Sequence, residues 1–246
     1  MSATMSSDAR LLVRREGDCT HLQLNRPEKL NALDESLVSA LLEALQVAAG
    51  DGTRLLSLSG AGRNFSAGFD LSDFEEVSEG DLLLRFVRIE QLLQALYHAP
   101  FQTMAFAHGR NFGAGVDLIC SCNRRVAAAG ASFRMPGLRF GLLLGSRRFA
   151  HRVGVDAARD ILLRSHQFDS DEAQAIGFIH QLAPQEQWQT LQGEARSDID
   201  ALSAHSTQRL LEITAIDTRA ADMADLVASA SAPGLKDRIR AYRKAG

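Results

Sequence analysis

The run Thr103-Met104-Ala105-Phe106-Ala107-His108-Gly109-Arg110-Asn111-Phe112-Gly113-Ala114-Gly115-Val116-Asp117-Leu118-Ile119-Cys120 changes character twice within eighteen residues. Residues 103–107 read as a buried strand and 108–112 as a loop. Gly113-Ala114-Gly115 then opens an apolar helix through Cys120. A second strand follows at 125–129. The same order stands upstream, where Leu55-Leu56-Ser57-Leu58 is a short strand, 60–68 an irregular glycine-rich passage and 82–97 helical by period. Strands separated by helices need crossover connections, so the spacing predicts a largely parallel α/β architecture with buried sheets.

Outward from this centre, residues 11–14 and 21–24 read as a hairpin around Glu16-Gly17-Asp18. Leu37, Ala40, Leu41, Ala44, Leu45 and Ala48 form a stripe of 3.6-residue period, capped by Asn31 or Asp34 and stopped by Gly50. Beyond Val155 the pattern is helix upon helix, over 156–163, 171–176, 185–197, 207–216, 219–229 and 236–243. The expected division is a core over 1–184 and a helical subdomain over 185–246. No Pro/Gly/Ser-rich linker separates them, so the helices are expected to pack on the core or on a neighbouring subunit.

At 246 residues, 46% hydrophobic and 23% charged, the chain is long and apolar enough for a sizeable folded core. The 27 Lys and Arg are dispersed and the net charge is -3, which argues against nucleic acid and anionic membranes as partners. No apolar run approaches the roughly 18 residues of a membrane-spanning helix, and the polar start Met1 to Asp8 is unlike a secretory signal, so a cytoplasmic protein is expected. Cys120 and Cys122 are too close for a CxxC site; with Cys19 they read as reduced thiols, and no metal is expected.

Glycine gathers at 60–68 and 109–115, read as two strand-to-helix junctions where backbone N–H groups lack intrahelical partners. Leu118 stands where a dinucleotide fingerprint needs its third glycine, and no glycine precedes a Lys-Ser/Thr pair, so nucleotide loops are disfavoured. Two readings remain: one exposed amide per junction converging on a single oxygen, or tight turns and close packing alone.

Three segments carry a family resemblance: Asn25-Arg26-Pro27-Glu28-Lys29-Leu30-Asn31-Ala32-Leu33, Gly60-Ala61-Gly62-Arg63-Asn64-Phe65-Ser66-Ala67-Gly68-Phe69-Asp70-Leu71, and residues 109–117. In order and separation they are similar to three successive motifs of the crotonase superfamily, the enoyl-CoA hydratase/isomerase family, over about residues 11–182. The resemblance implies a spiral of strand-strand-helix turns with a C-terminal helical subdomain. It also implies a homotrimer or dimer of trimers and an acyl- or enoyl-coenzyme A substrate from fatty-acid or aromatic-acid catabolism. Coenzyme A enters as part of that thioester, with no separate cofactor. The implied oxyanion hole falls on the backbone N–H groups of Phe69 and Ala114. Alanine replaces the family's usual glycine at 114 but keeps the donor. The implied coenzyme A contacts are Glu28, Lys29, Leu30 and Ala32, with Ala67, Asp70 and Leu71 nearby.

Hydratases of the family use two glutamates. Asp117 occupies the first position and Gly137 the second, so one carboxylate is missing. One carboxylate can shuttle a proton between carbons but cannot easily both activate water and protonate the product. Isomerisation is therefore favoured over hydration; decarboxylation, thioester hydrolysis and non-catalytic thioester binding stay open. Glu90 lies on the apolar stripe of its helix between Val87 and Leu93, where it needs either a partner or a cavity; resemblance to the family's aryl dehalogenases, whose helix can place a base at that position in the pocket, makes it the second candidate base. Arg147 and Arg148, at a helix start, read first as a solvated face. The pocket walls are expected from 74–97, 133–144 and the C-terminal helices.

Overall fold

The computed structural model describes residues 10–245; the polar opening Met1 to Asp8 lies outside them. β1 (Leu11–Glu16) and β2 (Cys19–Leu24) pair antiparallel, with Leu11 opposite Leu24. α1 (Glu35–Gly50) follows, its first turn capped by the Asp34 carboxylate on the Leu37 N–H, with Leu37, Val38, Leu41, Leu45 and Ala48 buried. β3 (Leu55–Gly60) leads through an irregular passage to α2 (Glu79–Tyr97), which opens on a reciprocal Ser78/Asp81 capping box. The chain then runs through β4 (Gln102–Ala107), β5 (Arg110–Phe112), α3 (Ala114–Ser121), β6 (Arg124–Ala127) and β7 (Ser132–Arg134). α4 (Ser146–Val153), α5 (Val155–Arg164), β8 (Gln167–Asp169), α6 (Ser170–Ala175) and β9 (Gln181–Leu182) come next. α7 (Trp188–Ser197), α8 (Ala204–Thr214), α9 (Arg219–Ala230) and α10 (Leu235–Ala245) end the described chain.

Six strands form one sheet in the order β1-β2-β3-β4-β6-β9, parallel from β2 onward, and β5-β7-β8 form a second. The chain alternates between them: β4 to β5 to α3, then β6 to β7 to α4. Each circuit adds a strand to both sheets and then a helix, which is the expected strand-strand-helix spiral. Its small sheet is held by aromatics. Phe133 and Phe168 face each other in register at the centres of β7 and β8, stack at 5.3 Å and pack with buried Phe149 and Phe178.

Three details differ from the sequence reading. Residues 110–112 are a strand, not loop. β8 and β9 interrupt the C-terminal helices. The passage after β3 is not a strand-to-helix junction, because no helix begins before Glu79; residues 68–70 are instead tied to Leu33.

The C-terminal helices lie on the core. Leu191 and Ala195 of α7 and Ile199 just beyond it pack with Leu55, Met104 and Phe106, and α9 and α10 close against α2 through Leu226, Leu235 and Ile239. α8 differs: Leu210 and Ile213 are 51% and 70% exposed.

Candidate active site

The site begins with two left-handed residues, Leu30 (φ 53°) and Asn31 (φ 54°). Asparagine is among the few non-glycine residues that adopt this conformation readily. Its buried side chain accepts from Arg26 N–H (2.8 Å) and donates to the carbonyls of Ala61 (2.8 Å) and Asn64 (2.9 Å), clamping the first motif onto the second. Ser66 Oγ reinforces the clamp, donating to Asn31 O (2.8 Å) and accepting from Gly68 N–H (3.1 Å). Neither role is visible in composition or period.

Leu33 then makes an isolated parallel bridge with Phe69: Leu33 N–H donates to Gly68 O (2.7 Å) and Asp70 N–H to Leu33 O (3.1 Å). In such a bridge the central residue's own N–H points away from the partner. The Phe69 amide accordingly has no hydrogen-bond partner among the described residues. The third motif is set against this one by the bond from Phe112 N–H to Ser66 O (3.1 Å). Gly68, at φ 80°, has no room for a side chain: a Cβ would overlap Phe112 O and stand 3.1 Å from Ala114 N. Ala114 is the first residue of α3, so its amide has no intrahelical acceptor, and it too has no partner among the described residues.

Phe69 and Ala114 line one cavity of about 220 Å³. Its walls include Phe86 of α2, Met135, Phe140, Leu142 and Tyr242 of α10, and its polar side chains are Asp117, Ser146 and Tyr242. Phe69 and Phe86 stack at 4.3 Å along one side. Asp117, one turn after Ala114, is 2% exposed, and its Oδ1 has no hydrogen-bond partner among the described residues. Burial pushes its carboxyl well above the ordinary aspartate range; Arg148 opposes and Glu90 reinforces the rise. Gly145 is glycine for this reason as well as for its φ of 66°: a Cβ there would overlap the Asp117 carboxylate. Gly137 also lines the cavity, so the missing second carboxylate is missing from the wall itself.

Glu90 is not brought to the cavity, which corrects the expectation that it supplies a base there. It is 0% exposed, and both oxygens are taken by Arg148, at 2.9 and 2.5 Å, with Gln94 Nε2 adding a bond at 2.8 Å. Arg148 is likewise not part of a solvated face: it is 3% exposed and also reaches Asp222 (3.1 Å). Arg147 stays at the surface, bonded to Asp222 (3.1 Å) and Asp225.

Of the expected coenzyme A residues, Ala67 and Leu71 line the cavity, and Leu30 and Ala67 line an adjoining groove of about 350 Å³. Glu28 and Lys29 are exposed on a short 3-10 turn, and Ala32 is buried. Asp70 braces the motif: its carboxylate takes Arg26 (3.0 Å) and Ser72 N–H (2.9 Å), which hold it below the ordinary range against the effect of burial. Sequence reasoning missed Arg63 and Arg110, two exposed guanidinium groups on the same groove without an ion-pair partner among the described residues. Cys120 and Cys122 are buried free thiols, pushed up by burial to about 11 and about 12.

A strand-strand-helix spiral with two unpartnered amides over an apolar cavity defines a protein of the crotonase fold. A family model described as enoyl-CoA hydratase/isomerase matches residues 14–232, and the chain belongs to that family. A crystal structure from Bordetella parapertussis bearing the enoyl-CoA hydratase/isomerase name is 48% identical with a TM-score of 0.94, covering 96% of this chain and 98% of that one. EchA6 of Mycobacterium leprae, named as an enoyl-CoA hydratase, is 32% identical over 70% of each chain. Human enoyl-CoA hydratase domain-containing protein 2, a mitochondrial protein by name, is 31% identical over 76% of this chain and 66% of its own. The chain spans about two thirds of the length of such relatives, 65% for the Mycosarcoma maydis enoyl-CoA isomerase/hydratase Fer4. Among the described residues no helix is long and apolar enough to cross a membrane.

Proposed function

We propose that the chain acts on an acyl- or enoyl-coenzyme A, using the Phe69 and Ala114 amides as an oxyanion hole and Asp117 as its proton shuttle. The observation that carries this reading is two unpartnered amides beside the cavity's one carboxyl group. With a 3-enoyl thioester, ionised Asp117 takes a proton from the carbon between the carbonyl and the double bond. The electron pair passes to the thioester oxygen, where two preorganised donors stabilise it. Asp117, now the acid, returns the proton at the far alkene carbon as the electrons flow back, and the double bond has moved. The raised proton affinity of the buried carboxyl suits both halves of this cycle.

The apolar walls favour an acyl group without charge, aliphatic or aromatic. Arg63 and Arg110, with Lys29, would meet the phosphates of coenzyme A from the groove that shares Ala67 and Phe112 with the cavity. The exposed Leu210 and Ile213 of α8 and Ile216 beyond it favour a homo-oligomer, trimer or dimer of trimers, which sedimentation equilibrium would test.

A panel of saturated, 2-enoyl and 3-enoyl thioesters with mass-spectrometric product detection tests the activity, and deuterium exchange at the α-carbon tests the enolate. A shifted double bond, lost in Asp117→Asn, is the expected result. The glycine at 137 supports a second reading, a thioester-binding protein without turnover. Equal binding by the parent and Asp117→Asn, with no conversion of any thioester, would establish it instead.

A further inference from the structure

Behind the cavity lies a buried charge cluster that the proposed reaction does not use. Glu90 of α2, Arg148 of α4 and Asp222 of α9 are each 8% exposed or less. Arg148 gives its two terminal nitrogens to the carboxylates and leaves Nε, also buried, without an acceptor among the described residues. Asp117 has the complementary deficit, a buried Oδ1 without a donor among the same residues. α3 packs against α2, α4, β4 and β5. The charged groups on these elements whose fields reach Asp117 are Arg148 of α4 and Glu90 of α2. Gly145, the residue before α4, lies directly against the carboxylate. β4 carries no ionisable side chain, and Arg110 of β5 faces the groove.

We propose that the Glu90–Arg148 pair is a positioning device for Asp117, a fixed pair of opposite charges that sets the pH at which Asp117 exchanges its proton. The inference rests on Asp117 being the proton-transfer group. The bidentate contact fixes Glu90 and Arg148 in one orientation, so the charge pair beside Asp117 cannot relax by side-chain rotation. The buried trio has two carboxylates to one guanidinium. Removing the Glu90 charge leaves Arg148 answered by Asp222 alone and turns its field toward Asp117, which favours the ionised form. Glu90 thus works through Arg148 and Asp117 and need not touch substrate.

The test is a pH titration of the Asp117 side-chain carboxyl by ¹³C NMR on aspartate-labelled protein, its signal identified by its loss in Asp117→Asn. Glu90→Gln is expected to move that titration down by about one pH unit, and Glu90→Asp, which keeps the charge, to bring it back. Asp222→Asn, which relieves Arg148 from the other side, is expected to move it the same way by less, and stands as the second variant if Glu90→Gln does not fold. An unmoved titration in the folded variant overturns the proposal. So does loss of thioester turnover at every pH in Glu90→Gln without such movement, since Glu90 would then be the base itself. Because the carboxyl signal is read without substrate, failure to find any turnover would strike the proposed reaction and leave this result standing.

Discussion

Asp117 and Glu90 make an instructive pair. Both are carboxylates on the apolar faces of buried helices, and the sequence offers each as a base. Yet Asp117 sits at the cavity with an unanswered oxygen, while Glu90 is closed off by a guanidinium fork. The difference is not burial, which is nearly complete for both, but whether a donor reaches the group. An unpaired buried carboxyl has its proton affinity raised and is free for transfer; a paired one has its oxygens committed and supports structure.

The sharpest way to break this contrast is Asp117→Asn. Turnover should fall by on the order of 10²–10⁴ if Asp117 is the acid and base, read as kcat on whichever thioester the panel identifies. Stability should move the other way. The folded carboxyl holds its proton to higher pH than the unfolded chain does, so the unfolded state deprotonates first and Asp117 lowers stability as pH rises past about 4. The variant should therefore melt above the parent at pH 7, with the gap closing in acid. An unchanged or lower Tm at pH 7 would contradict the burial argument.

On the paired side, Arg148→Met strands the buried Glu90 carboxylate, while Asp222 keeps Arg147 and Thr218, and should reduce folding stability by about 3–5 kcal/mol, measured by urea unfolding. Adding Glu90→Gln should recover much of it, because the stranded charge is then gone. If the single variant is as stable as the parent, the cluster is not the structural brace its geometry indicates.

How much of this contrast was legible beforehand depends on range. α1 declared itself through a six-position stripe, and the spiral through repeated strand, glycine and helix. Strands of two or three residues such as β5, β8 and β9 cannot display a period, and only pairing defines them. The passage at 60–68 resembled a helix entry because glycines alone do not show that Leu33 will bridge Phe69. For Glu90 the stripe left a choice between cavity and partner, and the partner lies 58 residues away on a helix whose start looked solvated. Asn31, Ser66 and Gly145 act through contacts between separate turns of the spiral, which local sequence does not encode.

The amides allow a cleaner test than the carboxylates, because the donor can be removed with little disturbance. Ala114 opens α3, and proline is tolerated at a first helical position. Ala114→Pro should fold yet turn over about 10²–10³ more slowly; retained activity would remove this amide from the oxyanion hole. Gly145→Ala attacks the same centre from the carboxylate side. It should displace Asp117 and lower kcat on the order of 10² while binding of coenzyme A is retained, so KM for the thioester should change far less than kcat.

The smallest expected effect separates exposed from buried arginine. Arg63 and Arg110 are hydrated on an open groove, where a charge contributes only about 1 kcal/mol and is screened by salt. Replacing either with alanine should raise KM for a coenzyme A thioester by about 3–10-fold and leave kcat and stability near the parent's. High salt should erase most of the difference. An N-acetylcysteamine thioester, which has the acyl group and the sulfur but no phosphate, should show none of it. A loss of equal size on the truncated thioester would mean that the two cations act on the cavity and not on phosphate. The contrast with Arg148 would then lie in position and no longer in solvation.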